Sequence, residues 1–340
     1  MLFNTAMRLA SVFKFVLPIA AGAFATSAAP QERPPAFALP IDCKFGETCF
    51  IQQYFDHDAG PGAKDYRCGP MAYDGHDGVD LRLPSMAAQR RGVTVLAAAA
   101  GTVLGTRDGM DDISTDVAGR DSVKGRECGN GVTIGHGGGW ETQYCHMAKG
   151  SVRVRTGQQL AGGAALGLVG ISGDAAFPHL HFLVRRNTEK IDPFAFGAAA
   201  DACGGGTSLW SSTAAAALAY HSPELINSGF TTETLTMDDV ESGRAAASSV
   251  TTNSPRLIAY IRAIGLKGGD VQSLTLRGPR GAVLATSEAP ALERDRAQQL
   301  MFIGARLTAA AWPTGAYEAE YAVKRDGMPF FQRRFTLMMK

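Results

Sequence analysis

From residue 93 to residue 184 short apolar, β-branched runs recur between glycines. Val93–Leu96, Gly101–Leu104, Gly131–Ile134, Glu141–Tyr144, Ser151–Val154 and Leu180–Val184 are each of strand length, and no helical repeat links them. The chain has to turn within Gly137-Gly138-Gly139, which makes 131–146 a hairpin. A second series follows: Leu257–Ile261, Val271–Leu276, Ala282–Ala285, Leu300–Ile303, Tyr317–Val323 and Gln332–Met338. Gly278-Pro279 and Trp312-Pro313-Thr314-Gly315 punctuate it at the spacing of a β-sandwich. Tyr317-Glu318-Ala319-Glu320-Tyr321 alternates, so one face meets a core and the other water. The pattern predicts an all-β chain: a compact antiparallel β domain followed by an immunoglobulin-like β-sandwich. No internal repeat is visible.

Composition marks the boundaries. Residues 198–222 are dominated by Ala, Gly, Ser and Thr and read as a connection, with a short helix around Leu218. Residues 31–70 are rich in Pro, Gly and Asp and read as an ordered but irregular extension held by its own cysteines. The stretch 106–127 carries Asp108, Asp111, Asp112, Asp116 and Asp121 without EF-hand spacing, so it reads as a solvated loop on the rim of a site. At the start, Arg8 and Lys14 precede the apolar run Phe15–Ala25 and the small residues Thr26-Ser27-Ala28-Ala29. This is the pattern of a secretory signal peptide, and the run is too short and too interrupted by Pro18 to span a bilayer. The expected order is a signal peptide at 1–28, an N-terminal extension at 29–69, the first β domain at 70–197, a linker at 198–235 and an accessory sandwich at 236–340. Periplasmic and secreted fates share this signal.

Charge narrows the partners. The 340 residues hold 33 basic and 32 acidic side chains, a formal net charge of +1. Signal removal shifts this to about −1. That balance gives no electrostatic case for nucleic acid, and no membrane span is expected after signal removal. Export also changes the meaning of the six cysteines, which should then be paired. Sequence alone leaves about 15 connectivities open. The hairpin favours Cys128 with Cys145, because the start of one strand lies beside the end of the other. Cys43 with Cys49 would close a local loop, leaving Cys68 and Cys203.

The chemistry lies in three short segments. Gly75-His76-Asp77-Gly78-Val79-Asp80 offers an imidazole and a carboxylate four residues apart. Pro178-His179-Leu180-His181-Phe182 places two imidazoles on one face of a strand. Tyr144-Cys145-His146-Met147 ends the hairpin. His57, His136 and His221 are expected to be structural, and Asp56-His57-Asp58 to be a turn. Together the three segments supply the ligand inventory of a catalytic zinc site, in which three protein ligands leave one position open.

These segments resemble the lysostaphin-type zinc metallopeptidases, the murein endopeptidase family. Gly75–Asp80 matches its H-x-x-x-D motif and Pro178–Phe182 its H-x-H motif. Val95–Val103 is similar to the segment after the first motif. Asn130–Gly137 with Glu141–Met147 is similar to the central hairpin. The resemblance covers roughly residues 70–196. It implies a compact antiparallel β metallopeptidase domain with a groove across one sheet, one Zn²⁺ per chain on His76, Asp80 and His181, and His146 and His179 as the pair beside the metal. Met147 stands where the family usually has Leu, Cys145 where it often has Ala, and the 106–127 insertion is long. No H-E-x-x-H glutamate is present, so histidine must act as base. The implied function is an exported endopeptidase cutting peptide bonds in peptidoglycan. The alternatives are a non-catalytic peptidoglycan-binding or amidase-activating protein on the same fold, and a zinc endopeptidase acting on secreted glycine-rich proteins. The sandwich, which carries no catalytic grouping, is expected to position the enzyme on the envelope or on an envelope protein partner.

Overall fold

Glycine punctuation and strand-length apolar runs produce a chain with many short connections. A computed structural model describes residues 1–3, 34–199 and 202–340; apart from its first three residues, the 1–28 signal segment lies outside these. Pro34–Lys340 form one compact unit. Its first ten strands are β1 (Phe50–Gln53), β2 (Val79–Arg82), β3 (Thr94–Leu96), β4 (Gly101–Arg107), β5 (Asn130–Gly137), β6 (Trp140–Met147), β7 (Gln159–Leu160), β8 (Ala165–Leu168), β9 (His179–Arg186) and β10 (Glu189–Ile191). An eight-stranded sheet runs β1-β2-β9-β6-β5-β4-β7, with β10 also pairing β9, and β3 pairs β8 in a small second sheet. The Gly137–Gly139 turn has positive φ at all three glycines, a conformation that costs other residues strain.

Register explains the inner face. On β9, Leu180, Phe182 and Val184 enter the main core, whereas His179, His181, Leu183 and Arg185 alternate onto the other face. Tyr144 of β6 and Val79 and Leu81 of β2 enter the same core.

The second half forms the sandwich. Its strands are β11 (Glu224–Thr231), β12 (Arg256–Leu266), β13 (Val271–Arg277), β14 (Val283–Glu288), β15 (Arg296–Arg306), β16 (Gly315–Arg325) and β17 (Met328–Met339). They divide into a three-stranded sheet β11-β12-β15 and a four-stranded sheet β14-β13-β16-β17. All pairings are antiparallel, and the chain changes sheet three times, between β12 and β13, between β14 and β15, and between β15 and β16. Tyr317, Ala319, Tyr321 and Val323 point into the second core, as their alternation demands.

Three local expectations are corrected. Ser151–Val154 is not a strand, because Asp108 accepts the Gly150 and Val152 N–H groups that a ladder would need. The 106–127 stretch is more than a solvated rim. It holds α2 (Thr115–Ala118; α1 is Met86–Arg90), and Asp112 accepts from Lys149 and Ile171 N–H, clamping two further loops. Within 198–235, read as a linker, α3 (Ser212–Ala217) and β11 are ordered elements. Leu209, Trp210, Ala214 and Leu218 are buried in the first core, because composition hides the few large apolar residues among the alanines.

All six cysteines pair as expected: Cys43–Cys49, Cys68–Cys203 and Cys128–Cys145. The extension is therefore tied by more than its own cysteines, since Cys68 reaches Cys203 and β1 joins the main sheet.

Candidate metal centre and groove

β2 and β9 run antiparallel with Asp80 directly opposite His181 and Arg82 opposite His179. On the other side of β9, Cys145 of β6 lies opposite His181, which brings His146 to the same end of the sheet. His76 arrives from the loop before β2, buried at 2 % exposure, with its N–H bonded to Tyr73 O. Gly78 is required here by close approach: a Cβ on it would stand 2.7 Å from the His181 ring.

Three side chains converge. His76 Nε2 lies 3.2 Å and His181 Nδ1 2.9 Å from Asp80 Oδ1, and the two nitrogens are 3.3 Å apart. Among the described residues this is the one His/Cys/Asp/Glu group compact enough to hold a metal ion. Ligands ~2.0–2.1 Å from a tetrahedral zinc stand about 3.4 Å from one another, so the observed spacings fit zinc with little adjustment.

Backbone carbonyls set the tautomers. His76 Nδ1 donates to Tyr54 O at 2.6 Å, His146 Nδ1 to Ser172 O at 2.8 Å and His179 Nδ1 to Phe177 O at 2.9 Å. Each keeps its Nε2 lone pair for the site. His181 is turned the other way: Nδ1 faces the cluster, and Nε2 lies 3.2 Å from Asp77 Oδ1. Asp77 is itself held by Lys190 Nζ at 2.7 Å. This carboxylate was not singled out by sequence, although it sits inside the first motif.

His146 and His179 stand beside the cluster. Their ring centroids are 4.6 Å apart, and His179 Nε2 is 3.5 Å from Asp80 Oδ1. His146 has φ of 61°, an unusual value for a residue with a Cβ. The conformation is held by its N–H on Cys128 O and by Ser172, whose hydroxyl also bonds Asn130 N and Met147 O.

Without a metal the charges organise themselves. Burial disfavours the Asp80 carboxylate, but His76, His179 and His181 outweigh burial and hold it well below the usual range. Burial pulls His181 down, yet hydrogen bonds to Asp77 and Asp80 prevail and push it up to about 9. Burial, with the neighbouring imidazoles His179 and His181, holds His146 well below 6.5. Burial lowers His179 too, and Asp80 offsets part of that effect.

His146 and His181 open onto a groove of about 310 Å³, also lined by Tyr73, Gln143, Leu183 and Arg185. The Cys128–Cys145 disulfide forms part of its floor. Tyr73 is half exposed with its ring 4.5 Å from that of His76. Strand alternation from His181 would have located Arg185; nothing in the pattern pointed to Tyr73.

The remaining histidines lie elsewhere. His136 is fixed between Ala100 O and Thr142 Oγ1. Asp56-His57-Asp58 lies in irregular chain rather than in a backbone turn, and Asp56 Oδ1 accepts from Asp58 and Lys64 N–H. His57 also pairs with Asp192 at 2.6 Å, a contact across the chain that sequence did not indicate. His221 is exposed.

Residues 74–193 match the sequence model of peptidase family M23. Over 137 residues the chain is 31 % identical to the DD-carboxypeptidase/endopeptidase Mpg of Neisseria meningitidis serogroup B, covering 38 % of this chain and 24 % of that protein. Over 71 residues it is 37 % identical to the cell division protein DipM of Caulobacter vibrioides, covering 19 % and 11 %. The chain thus spans a quarter or less of these curated relatives. Among solved structures, the catalytic domain of lysostaphin from Staphylococcus simulans is 22 % identical, covering 41 % of this chain and 89 % of that one, with a TM-score of 0.27. A zinc-containing peptidase from Vibrio cholerae is 22 % identical, covering 47 % and 38 %, with a TM-score of 0.30.

Proposed function

We propose, from the premise that residues 74–193 are a peptidase family M23 domain of lysostaphin type, that the protein hydrolyses peptide bonds in peptidoglycan stem peptides or cross-links. The observation that carries this reading is the convergence of His76 Nε2, Asp80 Oδ1 and His181 Nδ1 at spacings of 2.9 to 3.3 Å beside a second imidazole pair. These three would hold one zinc ion. When bound, zinc supplies a Lewis acid for a peptide carbonyl and makes an attacking water more acidic.

The other steps belong to this chain's own groups. Nε2 of His146 and of His179 each carries a lone pair fixed by a carbonyl on the opposite nitrogen. One of them accepts the water proton at Nε2, and the imidazolium so formed, stabilised by its neighbour and Asp80, gives that proton to the leaving amine. Asp77 keeps His181 oriented through Nε2, as an outer carboxylate does for a ligating imidazole. The open groove admits an extended peptide rather than a small enclosed ligand. Three disulfides suit an oxidising compartment, which supports periplasmic or secreted placement. Among the described residues no helix is long and apolar enough to cross a membrane.

The test is digestion of purified sacculi with zinc-loaded protein, with and without chelator, and mass spectrometry of the released fragments. New amino termini within stem peptides or bridges, lost on chelation, are the expected result. Binding to sacculi with no new termini would favour the non-catalytic alternative.

A further inference from the structure

We propose that Arg185 anchors a free carboxylate of the peptide substrate, a few residues along the groove from the bond that is cut; this rests on the peptidase reading and names the substrate class. On β9, His181, Leu183 and Arg185 share the face that lines the groove, while the intervening Phe182 and Val184 are core. Four residues of strand separate His181 and Arg185, about 13 Å between their Cα atoms. Allowing for the length of an arginine side chain, a carboxylate bound there lies roughly two to four extended residues from the reacting carbonyl.

The guanidinium is aimed but not neutralised. Arg185 Nη2 donates to Gln143 Oε1 at 2.5 Å, and Gln143 Nε2 contacts Cys128 Sγ at 3.2 Å, so the disulfide side of the groove fixes the amide that fixes the arginine. Among the described residues no carboxylate lies within 4.0 Å of it. Glu141, its cross-strand neighbour on β6, makes no such pair. The acids of the groove are already engaged: Asp77 with Lys190, Asp174 with Arg120, and Glu127 with the Gly125 N–H. The next residue shows the contrast, since Arg186 turns away and stacks over Trp140. A planar guanidinium with spare donors in a polar groove is matched by a carboxylate, which it binds through two parallel hydrogen bonds.

The experiment uses two synthetic stem peptides that differ only in having one side-chain carboxylate free or converted to its amide. Binding is measured by calorimetry on the zinc-loaded full chain carrying His179→Ala, and cleavage on the parent chain. The free acid should bind about tenfold more tightly than the amide, the scale of a charge-assisted hydrogen-bonded pair. Arg185→Gln should abolish that preference and Arg185→Lys should restore part of it, with thermal midpoints unchanged. No preference in the parent, or a preference that survives in Arg185→Gln, overturns the anchor and leaves Arg185 as a brace for Gln143. Preference in binding without cleavage of either peptide by the parent chain would leave the anchor standing and sink the hydrolase reading instead. Cleavage without preference does the reverse.

Discussion

Arg82 donates through Nη2 to Glu241 Oε2 at 2.7 Å, joining the strand that carries Asp80 to the helix that precedes β12. Glu241 lies on α4 (Met237–Ser242), which a Thr236–Asp239 capping box starts and Gly243, in the left-handed region, ends. α5 (Arg244–Ala247) follows it. The same carboxylate oxygen accepts from Arg262 Nη1 of β12, and Arg262 Nη2 reaches back to Pro84 O at 2.6 Å. Arg82 and Arg262 are fully buried. Arg82 also lies 4.4 Å above the Phe177 ring, and Phe177 both stacks near His179 and accepts its Nδ1 proton.

Glu241→Ala should therefore destabilise the protein by about 3–5 kcal/mol, because it strands two buried guanidinium groups. Denaturant unfolding measures this, and a loss below ~1 kcal/mol would mean that the triad is solvated in solution. The arginines outweigh the effect of burial and hold Glu241 below its ordinary 4.5. Its contribution is then present above that value and is lost as pH falls through the lower folded value. The acid limb of the stability curve should flatten in Glu241→Gln.

How much of this was readable in sequence follows from the range of each interaction. Strand runs and the histidine motifs are local, so β9 with His179 and His181, and the four-residue spacing of His76 and Asp80, were legible, whereas β2, only four residues long beside Gly75 and Gly78, was not. The Cys128–Cys145 pair was legible because a tight hairpin fixes which ends meet. Arg82–Glu241 spans 159 residues and His57–Asp192 spans 135, and no periodicity connects such partners. The burial of Trp210 and Leu218 was hidden for another reason: an Ala/Gly/Ser-rich stretch looks like a tether until the surface it covers is known.

Substitutions at the centre should separate by role. His181→Ala should lose both zinc and turnover, since two remaining ligands hold Zn²⁺ poorly. His146→Ala and His179→Ala should keep about one zinc per chain and lose roughly 10²–10⁴ in kcat. Metal analysis of the purified variants decides it. Stoichiometric zinc in His181→Ala, or a metal-free His179→Ala, would overturn the division between ligand and proton carrier.

Glu224, at the start of β11, should make the protein less stable toward alkaline pH. Burial pushes its carboxyl up from 4.5 to about 7, and Arg333 offsets only part of this. A raised acid binds more protons folded than unfolded, so stability falls as pH rises from about 4.5 to 7 and is level above. Glu224→Gln should raise the melting temperature at pH 8 and leave it unchanged at pH 4. An equal change at both would show that ionisation is not the cause.

The disulfides should differ in worth. Cys128–Cys145 closes a separation of 17 residues and Cys68–Cys203 one of 135. In the chain-entropy account these correspond to about 3 and about 5 kcal/mol. Cys68→Ser/Cys203→Ser should accordingly lower the unfolding midpoint more than Cys128→Ser/Cys145→Ser. The latter pair should alter peptide affinity as well, because both residues border the groove and Cys128 Sγ contacts Gln143. The opposite order of midpoints would show that native packing around the bridges, not loop closure, dominates.

The last prediction concerns where the chain can be shortened. Sequence favours a stop near residue 200, at the composition change, with zinc binding and small-peptide cleavage retained. The structure argues for a later stop. A chain ending after Ala199 loses Leu209, Trp210, Ala214 and Leu218 from the first core and loses Cys203, the partner of Cys68. Uncovering Phe37, Phe182 and Phe194, which pack on Trp210, costs several kcal/mol at about 25 cal/mol per Å² of apolar surface. That chain should aggregate or bind zinc poorly. One ending after Ser222 keeps the plug and the disulfide and loses only Ile226 and Ile264 from the first core, so it should fold and hold zinc although it lacks Glu241. Its kcat on small peptides should fall, because Arg82 is released from the stack that backs His179. Zinc titration and steady-state kinetics on the two chains test this; equal, fully active products would show that the sandwich and its connection contribute nothing to the site.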